Sequence, residues 1–221
     1  MGRGAANILG APRLVFNSLL ATLIFVNDGF PDHRQTTTFH DHHPQYMNAS
    51  KDTAARYNPT ARTLHWVSAL VILWATVSGF YITTQSIDDT IKQQIASFNV
   101  SVTLVFIPLF VLRVLYRIRH GVPAYGRVLA GWEINAARAM QLFLYASASV
   151  VLLSGVLMMK QDFSVFHLLT LPNIINDPAA LAFFKGLHTF STIILALCVA
   201  FHLLALARHE IAGRRILNRM I

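Results

Sequence analysis

Apolar residues in this chain fall into four long blocks, not into the short alternations of a sheet. The blocks cover residues 64–82, 95–116, 138–159 and 186–207. A helix needs about 20 such residues to cross the hydrocarbon layer of a bilayer. Each block is apolar all round, so none predicts a helix with one wet face. The pattern predicts an all-α, integral membrane four-helix bundle. Pro108 in the second block predicts a mild kink, because neighbouring helices can satisfy the carbonyl it frees. In the third block Ser147, Ser149, Ser154 and Gly155 predict close helix contact, since small residues let backbones approach.

Residues 1–56 break the pattern. An apolar run at 14–26 follows Arg3 and Arg13. It is short for a span and is similar to a signal-peptide core. Residues 27–56 are polar, with His33, His40, His42 and His43 around Asp41. That cluster reads as a disordered polar stretch and not as a metal site, because nothing nearby would hold ligand geometry. Met47 offers a second start, and residues 1–46 are expected to lie outside the functional protein. The expected organisation is an N-terminal extension over 1–56 and a four-helix transmembrane domain over 57–221.

Composition agrees with a membrane protein: 54% of residues are hydrophobic and 13% charged, about half the charged share of a soluble domain. Mean hydropathy is +0.49. The formal net charge of +8 would suggest nucleic acid in a soluble protein. Here the basic residues flank the apolar blocks, so they report topology, and no nucleic-acid partner is expected. Lys51, Arg56 and Arg62 precede the first block. Arg113, Arg117, Arg119, Arg127 and Arg138 surround the connection from the second to the third, and Arg208, Arg214, Arg215 and Arg219 follow the fourth. The opposite side carries Lys92, Lys160 and Lys185. Twelve against three place both termini in the cytoplasm of a multi-pass inner-membrane protein. This bias opposes a cleaved signal, which would invert the first span. The long outer connection, 160–185, carries Phe163, Phe166 and Pro172 and is expected to lie in the interface as a short amphipathic helix. The one cysteine, Cys198, supports neither a disulfide framework nor a cysteine metal site.

Histidines carry the chemistry. His120 and His209 read as interfacial polar residues, and His167 lies in the outer connection. His65, His188 and His202 fall within spans, where an ionisable residue is a functional hypothesis by default. His65 and His202 lie near the cytoplasmic ends of the first and last spans. Two histidines at one depth on different helices suit the axial positions of one haem iron. His188 precedes His202 by 14 residues, a rise of about 21 Å with faces about 40° apart. It can therefore face the same interior near the outer side. At its depth the second span offers Asn99, whose amide is a poor iron ligand beside imidazole.

The segments "RYNPTARTLHW" opening the first span, "VLRVLYR" closing the second and "GLHTF…AFHLLALARH" along the fourth resemble the prokaryotic cytochrome b561 family. That family is related to the cytochrome b subunits of nickel-iron hydrogenases. The resemblance covers about residues 56–210. It implies four membrane helices and two b-type haems, each held by two histidines. It also implies one-electron transfer between quinone, such as ubiquinone, and a redox partner protein or small oxidant in a respiratory chain. On this resemblance His65 and His202 match the ligands of the cytoplasmic-side haem, and His188 matches one ligand of the outer haem. The family's second-span histidine falls at or next to Asn99. The outer haem is then absent, held by His188 alone, or completed by His167. Two other activities stay open: a haem-bearing membrane anchor of a larger redox complex, and a quinone-linked superoxide oxidase.

Overall fold

Side chains at the helix starts set where each helix begins. A computed structural model describes residues 56–123 and 129–221; the expectations for the N-terminal histidine cluster, the run at 14–26 and the start at Met47 lie outside the described residues. Helix α1, Pro59–Thr84, begins where the Asn58 side chain accepts the Thr60 amide at 3.0 Å, with proline at the first helical position. Helix α2, Asp89–His120, begins where the Asp88 carboxylate accepts the Thr90 amide at 2.8 Å. Helix α4, Pro178–Ile211, has both devices: Asp177 accepts the Ala180 amide at 2.9 Å, and Pro178 follows it. Helix α3, Gly131–Leu157, starts on Ala130, which has no capping side chain. Instead the Glu133 carboxylate reaches back to the Ala130 amide at 2.9 Å. Each arrangement satisfies amides that the helix cannot satisfy itself.

All four helices are long and apolar enough to cross a membrane, as the blocks predict. Each begins before its apolar block, because the capping residues start the hydrogen-bonded ladder within the preceding polar sequence. The largest difference is at α4, whose Pro178 start precedes the predicted 186, followed by α3, whose Gly131 start precedes the predicted 138. Helix α2 continues unbroken through Pro108.

The helices pair as two antiparallel hairpins, α1 on α2 and α3 on α4, and the pairs touch each other only slightly. Small residues explain the closeness of α3 and α4: Ser147, Ala148 and Ser154 are buried, and Gly155 meets the His188 ring. Ser149 departs from the expectation. It is exposed, and its hydroxyl donates to the Tyr145 carbonyl of its own helix at 2.8 Å. At mid-height all four helices contribute to one core layer, with Phe106, Phe110, Ala148 and Leu195 buried against Val71, Ile72 and Tyr145. Leu70, Val77, Phe143, Leu153, Phe190 and Leu204 face outward and are exposed, a surface suited to lipid and not to water.

The connection at 160–185 is not the expected amphipathic helix. It forms an antiparallel hairpin of β1, Phe163–Val165, and β2, Leu169–Leu171, with Phe163 opposite Leu171 and Val165 opposite Leu169. Phe163 is buried, and the Ser101 hydroxyl of α2 lies 3.1 Å from the Ser164 carbonyl and accepts the Phe166 amide at 3.0 Å. Those partners on α2 favour extended backbone over helix at this segment. At the opposite end the chain closes on itself after α4. The Trp66 indole donates to the Met220 carbonyl at 2.8 Å, and the Tyr57 amide to the Arg219 carbonyl at 3.0 Å.

Candidate functional site

His65 lies six residues into α1, about 9 Å from its start, and His202 lies nine residues before the end of α4, about 13 Å from it. Antiparallel packing brings both to the end of the bundle that carries the C-terminus. Arg113 joins them from α2. Its guanidinium donates to His65 Nδ1 at 3.0 Å and lies over the Tyr145 ring, 5.3 Å from the centroid. His202 and Arg113 both lie within electrostatic reach of His65, and Arg113 lies within reach of His202 as well. The three side chains therefore form one half-buried cluster contributed by α1, α2 and α4.

The hydrogen bonds fix how each ring is presented. Arginine only donates, so His65 Nδ1 accepts, and the neutral ring carries its proton on Nε2. His188 has the opposite arrangement. Its Nδ1 faces the Val151 carbonyl at 3.1 Å; a carbonyl only accepts, so Nδ1 carries the proton and Nε2 keeps its lone pair. Donation from one ring nitrogen to a backbone carbonyl is the usual support of a metal-ligating histidine. Ser154 Oγ lies 3.4 Å from the same nitrogen, and a Cβ at Gly155 would meet the ring at 3.2 Å. Glycine at 155 thus lets the ring lie against α3. His188 fits a haem iron as it stands, and His65 fits once Arg113 finds another acceptor.

Asn99 does not reach His188. The Trp74 indole donates to Asn99 Oδ1 at 2.8 Å, and Asn99 Nδ2 donates to Ser78 Oγ at 2.9 Å. Both partners lie on α1, so the amide is consumed within the α1–α2 pair while His188 is held within the α3–α4 pair. His167 sits exposed at the tip of the β-hairpin, not inside the bundle. His120 stacks on Tyr116 with ring centroids 4.0 Å apart, and His209 lies 3.4 Å from the Arg214 guanidinium; both lie in the last turns of their helices.

On α4, Leu195 stands seven residues from His188 and seven from His202. The core layer around it therefore separates the two histidine levels by about 10 Å on either side. Arg113 is the member of this cluster that sequence reasoning passes over, because it counts among the topology charges. Its signal is its place inside the apolar block 95–116. Trp74, Ser78 and the Val151 carbonyl carry no such signal, since their roles exist only between packed helices.

Comparison with known proteins gives a concordant picture. A family model for prokaryotic cytochrome b561 matches residues 56–221. The chain is 28% identical over 177 residues to cytochrome b561 homolog 2 of Escherichia coli (strain K12), a match covering 77% of this chain and 93% of that protein.

Proposed function

This chain belongs to the prokaryotic cytochrome b561 family, a membrane b-type cytochrome of electron transport, and from that premise we propose that it exchanges single electrons with quinone in a respiratory chain through one haem b held by His65 and His202. The observation that carries this reading is the convergence of His65, His202 and Arg113 at one end of the bundle. Haem supplies one-electron chemistry at iron. The chain's own residues bind and place it. His65 and His202 come from different helix pairs and so join the pairs across their sparse contact. The apolar layer of Phe106, Phe110 and Leu195 keeps water from the inner side of the site. Trp66, tied to Met220, closes the bundle end beside His65.

The outer level supports a different reading. His188 is prepared as a ligand, while Asn99 is committed to Trp74 and Ser78, so the second haem of the family pattern is absent or held by a single imidazole. The charge bias supports an orientation with both termini in the cytoplasm, which places the His65 level on that side.

Spectra of His65→Ala and His202→Ala test the assignment. Each should abolish the low-spin haem signal, and the wild-type pyridine haemochrome should give about one haem per chain. A low-spin spectrum retained by both variants would overturn it. Quinol alone should reduce the wild-type haem; an anchor subunit would instead stay oxidised until its partner protein is added.

A further inference from the structure

Arg113 carries a charge that nothing among the described residues neutralises. It lies seven residues before the end of α2, about 10 Å along the axis, within an apolar span where a charge is costly and is normally paired. Among the described residues no carboxylate forms an ion pair with it. The nearest acids along the fold serve other partners. Glu133 is bound by Arg214, and the Glu210 carboxylate accepts the Leu217 amide. Asp88, Asp162 and Asp177 lie beyond the helix ends, and Asp89 is the first residue of α2, at the far end of that helix from Arg113. What Arg113 touches is a neutral ring nitrogen and the face of Tyr145, two weak substitutes for an anion.

A guanidinium is a planar fork of donors matched to a carboxylate. Haem b carries two propionate carboxylates. We propose that Arg113 anchors a haem propionate at the His65–His202 level, and that it leaves His65 to do so. This rests on the haem reading above. Haem binding then exchanges one partner for another. The guanidinium passes from the ring to the propionate, and His65 Nδ1 becomes free to carry the ring proton, which presents Nε2 as a ligand. The same residue therefore holds His65 in place before haem arrives and neutralises haem afterwards.

The test compares haem b with its dimethyl ester, which lacks both carboxylates, in the full-length detergent-solubilised protein whose haem is exchanged against each. The readouts are the affinity from the low-spin Soret band and the rate of haem loss to a scavenger protein. For the wild type, esterification should weaken binding by about tenfold or more, the scale of a lost charge-assisted bond. Arg113→Gln should weaken binding of haem b to a similar degree and make the protein indifferent to esterification, a non-additivity that marks a direct pair. Arg113→Lys should recover part of the loss. Equal wild-type affinity for haem b and its ester overturns the proposal without recourse to any variant, as do losses from esterification and from Arg113→Gln that simply multiply. Failure of the wild type to bind either form with a low-spin spectrum would instead remove the haem reading itself, and the anchor with it.

Discussion

Asn99 and His188 each stand ten residues into their helices from the N-terminal end, about 15 Å down, yet only His188 keeps a ring nitrogen uncommitted. The difference lies in their partners. The Val151 carbonyl fixes the His188 tautomer, whereas Trp74 and Ser78 use both ends of the Asn99 amide. Asn99→His should therefore release Trp74 and Ser78 and add an imidazole at the outer level. Haem content is expected to rise from about one toward about two per chain with a second low-spin component; a pyridine haemochrome assay that stays near one would reject it. Gly155 gives a second residue-scale prediction. A Cβ there already meets His188 at 3.2 Å, and the γ-methyls of valine would press further on a ring held by Val151. Gly155→Val should cost about 1–3 kcal/mol, seen as a lower melting midpoint while the His65–His202 spectrum is kept. An unchanged midpoint would mean that the ring yields freely.

The β-hairpin between α3 and α4 is an element held against its own backbone preference. Its turn places Phe166 at φ 49° and His167 at φ 60° and closes with the Leu168 amide on the Val165 carbonyl at 2.9 Å. Such turns favour Asn-Gly, and two side-chain-bearing residues there cost about 1–3 kcal/mol each. Contacts with α2 offset this. Ser101 bonds the hairpin backbone, and the Phe98 and Phe166 rings meet edge to face with centroids 6.0 Å apart. His167→Gly should raise the protection of the hairpin amides in hydrogen exchange, by about 0.5–1 kcal/mol, and leave haem content unchanged because the residue is exposed. Loss of haem in that variant would restore His167 as a ligand. Ser101→Ala should lower the same protection by about 1–2 kcal/mol.

For the molecule as a whole, the notable feature is how little the two helix pairs hold each other. The shared layer at Phe106, Phe110, Ala148 and Leu195 is thin, and the proposed ligands lie one on each pair. Haem is then a cross-link as well as a redox centre, and its free energy of binding adds to the stability of the fold. Protein made under haem limitation should melt at a lower temperature than the haem-loaded form. It should also expose amides along facing surfaces of α2 and α3, while the α1–α2 and α3–α4 contacts persist. Equal melting of the two forms would show that haem does not join the pairs.

The four spans were legible in the sequence because hydrocarbon imposes a simple rule: long apolar stretches form helices that satisfy their own backbone. The same rule made His65, His188 and His202 conspicuous, since each interrupts an apolar block. Three other features depend on which surfaces meet. Arg113 stood among the topology charges until packing put its guanidinium on His65. Asn99 read as a gap in a ligand pattern, and only the α1–α2 contact revealed that Trp74 and Ser78 fill its amide. The outer connection read as an interfacial helix because Phe163 and Phe166 are apolar. Ser101, more than sixty residues earlier in the chain, supplied the hydrogen bonds that drew it into a hairpin. Local composition determines what a segment can bury, whereas a hydrogen-bond partner on another helix exists only once the bundle has formed.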